Sequence, residues 1–168
     1  MSDKLRGYAH RVDVTAAPQK VWQALTHTEH LARWCSPGAD VRAKPGGLFR
    51  ASVDRVVELE AHIDVFEPGR RLRLIYLPSK ELPPTDDAIV DDFILEPVVP
   101  SRAAGASRDS LHGAPVGGGT IVRLLGSGIP STLAWDAQYK RLRMGWQAAM
   151  TRLKVFVERQ MNMTDEQT

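Results

Sequence analysis

The chain has a single cysteine, Cys35, in 168 residues, and that scarcity excludes an internal disulfide. A lone thiol fits a reducing compartment, so the expected setting is cytoplasmic. No window approaches the roughly 18 apolar residues that a membrane-spanning helix needs. The opening MSDKLRGYAHRV lacks the apolar centre of a signal peptide, so none is expected. Neither sign of charge dominates: 22 Lys and Arg against 20 Asp and Glu leave +2. That excess is too small for the basic stripe of a nucleic-acid binder, so no nucleic-acid partner is expected. The glycine triplet Gly117-Gly118-Gly119 precedes a strand instead of opening a helix. It therefore reads as a turn and not as a phosphate cradle, and no cofactor is expected.

What is present is strongly patterned. Tyr8, His10, Val12 and Val14 alternate with Ala9, Arg11 and Asp13, the period of a half-buried strand over residues 8–14. Pro18 suits the first turn of a helix over 18–26, with Val21, Trp22 and Leu25 on its apolar face. A second short helix begins near Thr28, a candidate N-cap, and buries Leu31 and Trp34 before Pro37-Gly38 ends it. Strands follow at 39–44, 48–54, 56–66, 72–76, 88–96 and 120–126, separated by turns such as Pro45-Gly46-Gly47 and Pro68-Gly69. In the third of these, Val57, Leu59, Ala61, Ile63 and Val65 share one face, and Glu58, Glu60, His62 and Asp64 the other. Alternating carboxylates of this kind are the wet face of a sheet. Residues 97–118, rich in Pro, Gly, Ser, Ala and Arg, read as a mobile loop between two strands.

After Pro130, with Ser131 or Thr132 as cap, Trp135, Tyr139, Leu142, Trp146, Met150, Leu153 and Val157 recur at steps of three or four. They form the apolar stripe of a helix of about eight turns. Large aromatic side chains on that stripe need a deep partner surface, which a coiled antiparallel sheet supplies. Strands segregated from helices make the fold class α+β: about seven curved antiparallel strands around a long C-terminal helix, with two short helices after the first strand. One domain spanning 1–168 is expected.

This order resembles the START-like (helix-grip, SRPBCC) superfamily, the fold of the birch pollen allergen and of polyketide cyclases. Within it, the chain is similar to the bacterial branch named for activators of the heat-shock chaperone ATPase. The stretches that carry the likeness are VDVTAAPQKVWQALTHTEHLARW at 12–34, GGLFR at 46–50, HIDVFEPGRRLRL at 62–74, GGTIVRLLGSG at 118–128 and GWQAAMTRLKVFVE at 145–158. The resemblance implies a histidine late in the last strand, where this chain carries Gly126. It also implies apolar or hydroxyl residues where this chain has Asp91 and Asp92.

The candidate chemistry is sparse. His27 and His30 are three apart near Cys35, but no third or fourth ligand is placed, so no metal site is expected. Cys35 reads as a buried apolar residue and not as a nucleophile, and no catalytic residue is assigned. The aromatics Trp22, Trp34, Phe49, Phe93, Trp135, Tyr139 and Trp146 converge between sheet and long helix. Half of them or more would be core filling, yet an apolar interior with a few polar groups is also what a small-molecule site looks like. His10 shares the inward phase of Val12 and Val14, and Asp91 that of Ile89, Phe93 and Leu95. With Tyr139 on the helix stripe, these are the polar groups expected to aim inward. The expected ligand-binding set is His10, Trp34, Phe49, Asp91 and Phe93, with Leu124, Trp135, Tyr139, Leu142, Trp146 and Met150. The leading expectation is a module holding an apolar or aromatic small molecule. A cyclase or hydrolase in the same cavity would need His10 with Asp91 or Tyr139 as an acid–base pair. A protein-interaction domain, suggested by the chaperone-activator resemblance, would use the outer sheet face. A homodimer or another protein partner is compatible with the sequence.

Overall fold

The computed structural model describes residues 4–56, 58–99 and 118–165, with side chains as far as 160. Most of the loop expected at 97–118 lies outside the described residues. The elements run β1 (Leu5–Val14), α1 (Pro18–Thr26), α2 (Thr28–Trp34), β2 (Asp40–Val41), β3 (Leu48–Ala51), β4 (Leu59–Glu67), β5 (Arg71–Tyr76), β6 (Val90–Pro97), β7 (Thr120–Pro130) and α3 (Leu133–Asp165). The seven strands form one sheet in the order β1-β7-β6-β5-β4-β3-β2, with every neighbouring pair antiparallel. The α+β helix-grip architecture expected from the sequence is the one observed. Among the described residues, no helix is long and apolar enough to cross a membrane.

The core lies between the inner sheet face and α3. Trp135, Leu142, Trp146, Met150, Leu153 and Val157 are each at most 3% exposed. They meet Phe49, Ile63, Leu72, Leu74, Phe93, Leu95, Val122 and Leu124 from the strands. Tyr139 departs from this stripe. It is half-buried at the sheet margin, and its hydroxyl donates to the Gly7 carbonyl (2.8 Å) while the guanidinium of Arg6 lies 4.5 Å from its ring centre. The outer face carries ion pairs along and across the strands, including Arg71–Asp92, Arg73–Asp64 and Arg123–Glu96. Solvated pairs of this sort contribute little to stability.

Several local expectations are corrected. A register shift between Ile63 and Val65 places Phe66 opposite Leu72. The bulge flips the phase, so Phe66, and not Val65, packs against the core, edge-on to Trp22 at 5.3 Å. Thr28 is not a side-chain cap. Its hydroxyl accepts from the Val41 N–H (3.0 Å) and so ties α2 to β2. The strand expected at 39–44 shrinks to two residues because the Lys44 N–H turns back onto the Arg42 carbonyl (2.9 Å). The last strand runs past Gly126 to Pro130, because β1 pairs with it as far as Leu5.

Trp146 is 2% exposed and packs edge-on to Phe93 at 5.4 Å. Trp146→Ala should therefore lower the unfolding free energy by about 3–5 kcal/mol in urea melts. A loss below about 1 kcal/mol would mean the helix does not pack there as described.

Candidate functional site

Among the described residues, four polar side chains are buried: Thr26, Ser36, Asp91 and Thr120. Three have ordinary backbone partners. Thr26 and Thr120 donate to the carbonyls of Trp22 (2.7 Å) and Ala16 (2.6 Å), and Ser36 Oγ accepts from the Ser52 N–H (3.0 Å). Asp91 is the titratable one, and it is 0% exposed. Tyr8 Oη donates to its Oδ1 at 2.5 Å, and Tyr76 Oη donates to its Oδ2. Trp146 Nε1 in turn donates to the Tyr76 oxygen at 3.2 Å.

The sheet register builds this cluster. Tyr8 on β1 and Asp91 on β6 both stand opposite Gly126 on β7, so one strand separates them. The Tyr8 ring crosses that strand over Gly126, where a Cβ would come within 2.4 Å of the ring. Glycine is thus required at the position where the resemblance implied histidine: any side chain there would push Tyr8 off the carboxylate. On the other flank Asp91 stands opposite Leu74 on β5, and Tyr76, two residues on, points the same way. His10 stacks on Tyr8 with ring centres 5.4 Å apart. Its Nε2 has no hydrogen-bond partner among the described residues, and burial pulls the imidazole below its ordinary pKa.

Burial pushes the Asp91 carboxyl up to about 6, a rise that the hydrogen bonds from Tyr76, Tyr8 and Trp146 partly offset. Burial first, and then the Asp91 charge, hold both phenols well above the usual tyrosine range. At neutral pH the tyrosines therefore keep their protons and act as donors to a carboxylate. Cys35 is buried, and its thiol is pushed up to about 12 by desolvation, so it is not an activated nucleophile.

Tyr76 also forms part of the wall of a cavity of about 340 Å3. The rest of the wall comes from the β5–β6 connection, notably Leu82, Pro83, Pro84 and Ile89, and from Trp135 in the first turn of α3. Lys80 and Asp87 also border it. Of the residues singled out in the sequence, Trp135 lines this cavity, and Asp91 and Trp146 are hydrogen-bonded to its wall residue Tyr76. Phe93, Leu124, Leu142 and Met150 are buried in the core around them. Trp34 and Phe49 are also in the core, with Trp34 Nε1 donating to the Ala24 carbonyl at 2.8 Å. His10 touches the cluster only by stacking on Tyr8, and Tyr139 is committed to Gly7. His27 and His30 lie 5.4 Å apart, with His30 edge-on to Phe156.

Sequence reasoning missed Tyr8 and Tyr76 as the partners of Asp91. Both had a signal. Tyr8 shares the inward phase of His10, and Tyr76 continues the phase of Leu72 and Leu74. Most of the cavity wall lies at 77–87, between the strands expected at 72–76 and 88–96, where the sequence has no period to read.

The sequence matches the family described as activator of Hsp90 ATPase homolog 1-like protein over residues 15–158. No curated protein matches it. Among solved structures, it is similar to protein MLL2253 from Mesorhizobium loti, at 23% identity and a TM-score of 0.68, covering 92% of this chain and 98% of that one. It is also similar to the Aha1 dimer from Colwellia psychrerythraea (18% identity, TM-score 0.66, 91% and 96% covered). CalU16 from Micromonospora echinospora is a third (18%, 0.61, 97% and 83%). At these identities the structural likeness establishes the fold alone.

The pH dependence of stability follows from the raised Asp91 pKa. The native state holds this proton to a higher pH than the unfolded chain does. The stabilisation is therefore full below the ordinary carboxylate pKa and is lost as pH rises through about 6. Asp91→Asn removes that term while keeping an acceptor and a donor. Urea midpoints of wild type and variant, compared at pH 5 and pH 7.5, should show the variant gaining on wild type at the higher pH by about 1.4 kcal/mol. A difference that does not change with pH would contradict the assignment.

Proposed function

The chain belongs to the activator of Hsp90 ATPase homolog 1-like family, and from that premise we propose that it binds one small apolar or aromatic molecule in the cavity beside Tyr76 and Trp135. The observation that carries the reading is the cavity of about 340 Å3, with two aromatic side chains, Leu82, Ile89 and prolines in its wall. Its size falls at the small end of ordinary ligand sites, and apolar walls with a few fixed polar groups are their usual make-up. The Tyr76 hydroxyl is committed to the buried cluster, with its proton on Asp91 and its oxygen met by Trp146 and Tyr8, so Tyr76 offers the ligand its ring. A flat aromatic molecule complements that wall.

Trp135 contacts the ligand in this reading. Asp91, Phe93 and Trp146 fix Tyr76 from below, and Trp34, Phe49, Leu124, Leu142 and Met150 supply the packed floor. A cyclase or hydrolase reading has less support, because His10 stacks on Tyr8 and Tyr139 is bound to Gly7, so neither pairs with Asp91. A cytoplasmic setting fits the single reduced thiol. The dimeric state of the Colwellia psychrerythraea protein supports a homodimer of this chain as a further reading.

Leu82→Trp tests the proposal by filling the cavity from its wall without touching the Asp91 cluster. N-phenyl-1-naphthylamine, a neutral aromatic amine, should bind wild type with a stoichiometry near one and a rise in fluorescence. The variant should lose that binding while its thermal midpoint stays within a few degrees of wild type. Equal binding by a folded variant would overturn the assignment.

A further inference from the structure

A second concavity, of about 600 Å3, lies on the opposite side of α3's early turns from Tyr139, between the helix and the link from β3 to β4. Its lining is unlike that of the first. Arg55, Lys140, Arg141 and Arg152 supply four positive charges, and Asp54 a single negative one. The floor is apolar, formed by Val53, Gly145 and Met144. Gly145 lets the link approach closely, since a Cβ there would sit 2.8 Å from Val53 Cγ2.

The four cations are not equivalent. Arg141 is paired with Asp54 at 2.7 Å. Arg152 is half-buried and spends its donors on backbone carbonyls, those of Trp34 at 2.8 Å and of Cys35 and Val53 at 3.4 Å. Those bonds fix its guanidinium but leave its charge without a carboxylate. Arg55 and Lys140 are exposed and make no ion pair or hydrogen bond among the described residues. Three positive charges around one concavity thus lack a counter-charge, in a chain whose outer sheet face pairs its arginines with carboxylates. Arg55 also holds φ at 63°, the left-handed region that a non-glycine side chain occupies at a cost. Local strain of this kind is retained where the position serves something other than stability.

We propose that this groove binds a small molecule with an apolar body and a dianionic head group, a phosphomonoester or a dicarboxylate. The head group sits between Arg55, Lys140 and the fixed charge of Arg152, and the apolar body lies on Met144 and Val53. Guanidinium forks match the paired oxygens of phosphate and carboxylate, and the mobile ammonium of Lys140 adds a point charge. Two negative charges neutralise most of the excess. This site is separate from the cavity beside Tyr76, and the two proposals stand or fall independently.

Calorimetric titration with phenyl phosphate, phthalate, inorganic phosphate and phenol tests it. Phenyl phosphate or phthalate should bind at least about tenfold more tightly than phenol and than inorganic phosphate, and should weaken as salt is raised. The stronger of the two identifies the head group. Arg55→Gly relieves the left-handed backbone, so its thermal midpoint should equal or exceed that of wild type while affinity falls. Arg55→Glu combined with Lys140→Glu should abolish binding in a protein that melts normally, because neither side chain holds another element. Arg11→Glu, on an exposed β1 residue far from the groove, should leave binding unchanged. Dianions that bind no better than phenol, or undiminished binding by the folded double variant, would overturn the proposal.

Discussion

A carboxylate with no exposed surface is the constraint around which the inner half of this fold is organised. Removing an isolated carboxylate from water costs several kcal/mol even after the protein relaxes, so it survives only if fixed donors replace the lost hydration. Asp91 obtains them from Tyr8 and Tyr76, which come from strands on either side of it. Among the described residues no arginine or lysine compensates it, and burial outweighs hydrogen bonding, so its pKa is raised. The geometry has one further requirement, that the intervening strand have no side chain where the Tyr8 ring crosses it. Gly126 meets it. Four residues on four adjacent strands thus depend on one another: a change at any of them leaves a buried charge or a buried phenol without its partner.

The same cluster joins the sheet to the long helix. Trp146 packs against Phe93, the inward neighbour of Asp91 two residues along β6, and hands its indole N–H to Tyr76. An aromatic helix stripe and a polar cluster therefore share one contact. Tyr76 is the outermost member, half-buried, with its hydroxyl held on Asp91 and the residue forming part of the cavity wall. A molecule in that cavity would rest against a tyrosine ring whose orientation is fixed by the hydrogen bonds of its hydroxyl. A wall fixed in advance lowers the ordering cost of binding.

The sequence made the architecture legible because periodicity carries it. The stripe from Trp135 to Val157 and the alternations in β1, β4 and β6 each bury one face, and each burial needs the next element. The inward phase of Asp91 followed from Ile89, Phe93 and Leu95 alone. What was not legible came from register. That Tyr8, Gly126 and Asp91 lie in one row is a property of strand pairing, and period two in a single strand does not report which residue stands opposite. The bulge that turns Phe66 inward in place of Val65 is invisible for the same reason. Tyr139 shows the limit of a helical stripe: it has the right phase, yet it reaches the sheet margin and bonds to the Gly7 carbonyl at a second register shift. The cavity wall was hidden because an irregular link with three prolines has no period to read.

The central claim is that Asp91 is a buried carboxylate held by two tyrosines whose outer member borders a ligand cavity. Its most direct measurement is the 13C carboxyl shift of Asp91, assigned by difference with Asp91→Asn and followed through pH with and without N-phenyl-1-naphthylamine. The account predicts an inflection near about 6, moved upward by the probe as water leaves the space beside Tyr76. An inflection in the ordinary carboxylate range, or one that a saturating probe leaves in place, would contradict it.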